Sequence, residues 1–134
     1  MKSDYYRAIA LVDDDEDIVN LFTELLRENG YDIYGFTNPL LLLDYIHHHN
    51  NQFRLVLIDY KMPQLTGCEL ANKIADINSR IEMVLITAAT DIVKNNHNLE
   101  LILKPVRMHQ LLDSRKIYEL NNHLKLDVLL LGLE

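Results

Sequence analysis

Five short apolar runs, separated by stretches with a different periodicity, constrain this chain more than any other feature. They are "AIALV" at 8–12, "YDIYGF" at 31–36, "FRLVLI" at 53–58, "EMVLIT" at 82–87 and "LELILK" at 99–104. The first is apolar throughout rather than alternating, the pattern of a strand covered on both faces. The second only half alternates, which places it near a sheet edge. Between the runs the spacing turns helical. From Asp15 to Asn29, apolar Ile18, Val19, Leu21, Phe22, Leu25 and Leu26 recur at helical intervals, and Gly30 follows as a stop. Asn38 is placed to cap a second helix whose first residue is Pro39. Residues 68–77, "CELANKIADI", form a third, with Leu70, Ile74 and Ile77 on one side. A polar, weakly helical stretch covers 89–98, and a long helical pattern follows Pro105. Strand–helix alternation repeated five times predicts an α/β fold, a parallel sheet with helices on both faces.

The length of 134 residues fits one domain with one core. A net charge of −7 argues against binding to nucleic acid or to an anionic membrane surface. Cys68 is the only cysteine, so neither an intrachain disulfide nor a thiolate metal cage can form. At the start of a helix it reads as a small packed residue whose thiol pKa the helix N-terminus could lower. The N-terminal apolar run is interrupted by acids after five residues, unlike a secretory signal, and no run approaches the ~20 apolar residues of a membrane span. A cytoplasmic protein is expected.

Ligands of such sheets bind beyond the C-terminal ends of the strands. The residues there are Asp13, Asp14 and Asp15 after the first strand, Asp59 after the third, Thr87 at the fourth and Lys104 at the fifth. Clustered carboxylates stay ionised cheaply only beside a cation, and an all-oxygen set favours Mg²⁺ over Zn²⁺. Lys104 suits an anion as a point charge, and Thr87 can donate to the same anion. Carboxylates, Mg²⁺, a lysine and a threonine together make a phosphoryl-transfer site, with the central Asp59 as its nucleophile. Asp15, Glu16 and Asp17 read instead as an acidic helix start that suits the macrodipole.

Four segments carry a family resemblance: "VDD" (12–14), "DYKMPQLTG" (59–67), "ITAA" (86–89) and "LKP" (103–105). Together and in this order they resemble the response-regulator receiver domain of two-component signalling, over roughly residues 7–120. The resemblance implies a flavodoxin-like, doubly wound five-stranded sheet of order 2-1-3-4-5. It implies that Asp59 accepts a phosphoryl group from a histidine kinase or phosphotransfer protein. Asp14, Asp59 and the backbone carbonyl of Lys61 would bind Mg²⁺, with Asp13 holding the metal through water. Thr87, Lys104 and the backbone N–H of Ala88 would hold the phosphoryl oxygens, and the Lys104–Pro105 bond would be cis. The receiver is expected at 5–122, with 123–134 a C-terminal helical extension or linker. Such a protein is a switch that acts on an unidentified downstream protein, not an enzyme in the usual sense.

Two departures accompany the resemblance. Thr87 and Lys104 are 17 positions apart, short for the family by about a helical turn, so the fourth helix is expected to be short. Leu101 stands where the family usually has an aromatic that moves with the threonine. Both favour an alternative, a degenerate receiver that binds proteins but switches weakly or not at all. A Mg²⁺-dependent phosphatase with an Asp nucleophile is a further alternative, but such enzymes need a second Asp where this chain has Lys61. His47, His48 and His49 are expected to be a solvated helix end rather than a metal site. Leu126, Leu129, Leu130 and Leu133 form a stripe that would allow a homodimer through the C-terminal helix.

Overall fold

Residues 8–87 and 99–103 are described by the structure, a computed structural model. They form the strands β1 (Ala8–Val12), β2 (Asp32–Phe36), β3 (Phe53–Asp59), β4 (Glu82–Thr87) and β5 (Leu99–Leu103). The helices are α1 (Glu16–Glu28), α2 (Pro39–His48) and α3 (Gly67–Ile77). All paired strands run parallel in the order β2-β1-β3-β4-β5, as the resemblance implied, with the half-alternating strand at an edge. The residues 88–98, expected to hold a short fourth helix, and the C-terminal segment 104–134 lie outside the described residues. So do Ala88, Lys104, the Lys104–Pro105 bond and the leucine stripe. No helix among the described residues is long and apolar enough to cross a membrane.

The period-two geometry of the strands divides the core into two layers. Ala8, Ala10, Val12, Val56, Ile58, Met83 and Leu85 face Leu42 and Ile46 of α2 and Leu70, Ala71 and Ile74 of α3. Ile9, Leu11, Ile33, Leu55, Leu57, Val84 and Ile86 face the other way, with Leu26 of α1. Apolar burial of this kind, at about 25 cal/mol per Å², is what holds helices to a sheet. Gly35 lets α1 sit flush on the edge strand: a Cβ there would lie 2.5 Å from Val19 Cγ1 and 3.0 Å from Thr23 Oγ1. Arg27 then reaches from the end of α1 to donate to the Ile33 carbonyl at 3.1 Å.

Each helix start is fixed by its own side chains. Asp15 caps α1, accepting from the N–H groups of Asp17 (2.9 Å) and Ile18 (3.4 Å). Asn38 caps α2 through the Leu40 N–H, with Pro39 at the first helical position as its sequence predicted. At α3 there is a capping box: Thr66 Oγ1 accepts from Glu69 N–H, and Glu69 Oε1 accepts from Thr66 N–H. These bonds hold the Glu69 carboxyl below the usual carboxylate range, its backbone bond to Thr66 contributing most. A lowered folded pKa stabilises above the unfolded value and ceases to as pH falls through the folded one. Stability lent by Glu69 is therefore full at neutral pH and lost below the ordinary glutamate range. Replacing Thr66 with alanine is expected to cost about 0.5–2 kcal/mol in denaturant unfolding at pH 7. The gap between Thr66→Ala and wild type should narrow on acidification through that window.

A candidate metal and phosphoacceptor site at the strand ends

Adjacent central strands deliver the site. Val12 pairs with Ile58, so the chain leaves β1 into Asp13 beside the end of β3 at Asp59. Asp59 pairs with Ile86 on β4, one residue before Thr87. Asp59 is the last residue of β3 rather than the first of a loop, since the Tyr60 N–H still donates to the Ile86 carbonyl at 3.0 Å. Asp13, Asp59 and Thr87 are 6%, 4% and 3% exposed, so three polar side chains are sunk among apolar strands. Burial of polar groups like these has to be offset by hydrogen bonds or a bound charge.

Asp13, Asp14 and Asp59 each bring a carboxylate oxygen to within 4.8 Å of the others. Like charges at that distance repel by roughly 3 kcal/mol per pair at an effective dielectric of 20. A cation bridging all three reverses the sign of that term. The donor set is three hard carboxylate oxygens with no imidazole or thiolate, which fits Mg²⁺. Asp14 is exposed, giving the cluster a mouth to solvent.

Within the acidic run, Asp13 and Asp15 are held differently. Asp13 turns inward and its Oδ1 accepts from the Asp15 N–H at 2.9 Å, while Asp15 faces the helix as its cap. Asp13 is also held by the edge strand, its N–H donating to the Phe36 carbonyl at 3.1 Å. The sequence offered no sign of this: the end of β2 carries no ionisable side chain, and its contribution is a backbone oxygen.

The loop after Asp59 is closed by Gly67, whose N–H donates to the Tyr60 carbonyl at 2.7 Å. A Cβ on Gly67 would strike Leu85 Cδ1 and stand 2.9 Å from both the Asp59 carbonyl oxygen and Tyr60 Cα. Glycine is thus required by the close approach of α3 to the backbone of Asp59 itself. Within this loop Met62 is buried and Lys61 exposed. Cys68 is partly buried, and burial pushes its thiol pKa up. The partial burial fits the small packed residue read from the sequence, and the direction of the shift is opposite to the lowering that a helix N-terminus could give. Leu101, on β5 opposite Leu85, packs against the α2–α3 side of the core.

Comparison with known proteins points the same way. The family model described as "Response regulator receiver domain" matches residues 9–116. The transcriptional regulatory protein CpxR homolog of Haemophilus influenzae is 32% identical over 93 residues, 69% of this chain and 39% of that protein. Sporulation initiation phosphotransferase F of Bacillus subtilis is 28% identical over 115 residues, 82% of this chain and 91% of that one. Among solved structures, a chain of the complex between histidine kinase ThkA and response regulator protein TrrA superposes with a TM-score of 0.72 at 26% identity, covering 85% of this chain and 97% of that one. The match spans 39% of the length of the CpxR homolog and 20% of the phosphoglycerate transport regulator PgtA of Salmonella typhimurium.

Proposed function

The chain belongs to the response-regulator receiver family, and from that premise we propose that it accepts a phosphoryl group on Asp59 in a Mg²⁺-dependent reaction and acts as a phosphorylation-controlled switch. Receiver domains of this family are phosphoacceptors for histidine kinases. The observation that carries the finer reading is the convergence of the Asp13, Asp14 and Asp59 carboxylates at the strand ends, with Thr87 buried on the neighbouring strand. Asp13, Asp14, Asp59 and the Lys61 carbonyl would hold the metal. Bound there, Mg²⁺ would neutralise charge developing on the phosphoryl oxygens. Asp59 attacks phosphorus through a carboxylate oxygen, forming an acyl phosphate as the donor's phosphorus–nitrogen or phosphorus–oxygen bond breaks. Thr87, the Ala88 N–H and Lys104 take the phosphoryl oxygens. The added charge of about −1.5 to −2 then biases the surface around the site.

The partner we propose is a sensor histidine kinase or phosphotransfer protein, in keeping with the kinase bound to TrrA in the ThkA complex. The receiver would span 5–122 and work in the cytoplasm. A second reading, a receiver that binds partners but switches weakly, is favoured by Leu101, a partly buried aliphatic side chain packed against the core where an aromatic relay would be needed. Incubation with Mg²⁺ and acetyl phosphate followed by intact-mass measurement separates the two: one stable phosphoryl adduct supports the switch, and none supports the binding module.

Metal binding has its own test. Asp14→Ala should weaken Mg²⁺ by about tenfold or more, because it removes a charged oxygen from the donor set. Asp17→Ala, on the exposed first turn of α1, should leave the affinity nearly unchanged. Equal losses in a fluorescence or calorimetric titration would rule out the division of the acidic run.

A further inference from the structure

Asp13 is a buried member of the carboxylate cluster, and its holders come from two different elements. Its N–H donates to the Phe36 carbonyl of β2 at 3.1 Å, and its Oδ1 accepts from the Asp15 N–H, at the start of α1, at 2.9 Å. The strand holds the backbone and the helix start holds the carboxylate. Where that carboxylate stands therefore depends on how closely α1 and β2 approach each other.

The approach is set at Gly35. This residue pairs with Leu11 in the sheet, and the next, Phe36, pairs with Val12, the neighbour of Asp13. The backbone of Gly35 is open to solvent at the sheet edge, but the path that a side chain would take is closed by α1. A Cβ would come within 2.5 Å of Val19 Cγ1, a contact that real Cβ atoms do not make. Val19 is buried, and a valine in a helix keeps one strongly preferred rotamer, so it does not swing aside. The helix has to give way instead. Val19 is bonded to Asp15, its N–H donating to the Asp15 carbonyl at 3.1 Å. Asp15 is the joint: its carbonyl accepts from Val19 and its N–H holds Asp13. A push on Val19 thus reaches the Asp13 carboxylate through two hydrogen bonds, whereas Asp59, on the central strand, lies off this path.

We propose that Gly35 is a positioning residue for the cation site, setting the place of the Asp13 carboxylate through Val19 and Asp15 on one side and Phe36 on the other. The inference rests on the reading of Asp13, Asp14 and Asp59 as a Mg²⁺ site. Gly35 touches neither the metal nor the phosphoryl group. Its missing side chain keeps α1 close enough to β2 for both bonds to Asp13 to form at once.

Mg²⁺ titrations of the whole chain, run well below the thermal midpoint, test this. Gly35→Ala should bind Mg²⁺ about tenfold more weakly than wild type, the scale of loss seen when the partners of metal ligands are removed. Adding Val19→Ala to it takes away the methyl in the path and should recover most of the affinity, although a buried side chain is given up. Recovery of binding without recovery of stability separates positioning from mere folding. Ile46→Val, which thins the core on the other face of the sheet, should lower stability and leave Mg²⁺ affinity unchanged. Val19→Ile crowds the same contact from the helix and should reproduce the loss, so the test stands even where Gly35→Ala does not fold. Wild-type affinity in whichever crowded variant folds would overturn the inference. So would a loss that Val19→Ala does not restore, or one that Ile46→Val matches. A wild type that binds no Mg²⁺ would instead remove the cation site itself, and this inference with it.

Discussion

Asp59→Asn is expected to abolish the phosphoryl adduct that wild type gains from acetyl phosphate and Mg²⁺, while the fold stays intact. The amide has nearly the same shape as the carboxylate, so the packing of a 4%-exposed side chain changes little. Its nucleophilicity does not survive: the acyl-phosphate bond needs an anionic oxygen. The variant also reduces the carboxylate cluster from three charges to two, so Mg²⁺ affinity should fall in the same protein. Intact mass gives the first result and a metal titration the second. A persistent adduct in the variant would move the acceptor to another residue and sink the assignment of Asp59.

Gly67→Ala is expected to damage stability and phosphoacceptance together. The added methyl meets Leu85 Cδ1, which can rotate, but also the Asp59 carbonyl oxygen and Tyr60 Cα at 2.9 Å, which cannot. Overpacking of this kind costs about 1–3 kcal/mol. For a chain of this size that lowers the thermal midpoint by roughly 3–10 °C. Relief comes only by moving α3 off the sheet or by displacing the backbone that carries the acceptor. Thermal unfolding gives the first effect, and the adduct yield well below the midpoint gives the second. A variant of wild-type stability and yield would show that α3 stands further from β3 than the structure has it.

Strand positions were legible because two-sided burial demands uninterrupted apolar runs, and β1 and β4 begin and end where the runs do. The acidic residues of the site were legible because strand ends in a parallel sheet converge, and Asp13, Asp14 and Asp59 do so. Contributions made by the backbone were not. The Phe36 carbonyl that holds Asp13 has no side-chain signature, and Gly35 looked inert because its role is to have no side chain. The capping box at Thr66 and Glu69 had a readable signal, a threonine three residues before a glutamate, which the loop motif around it obscured.

The hydrogen bond from Asp13 to Phe36 ties one of the three residues of the carboxylate cluster to the outermost strand, while Asp59 sits on the central one. Edge strands open at lower free energy than central strands. Asp13 and Asp59 therefore have supports of different durability. On mild warming, cation affinity should fade before the acceptor strand loosens, leaving a folded protein that responds sluggishly to its donor. Heat would desensitise this chain well before denaturing it, and the weak link would be a single amide at the rim of the sheet.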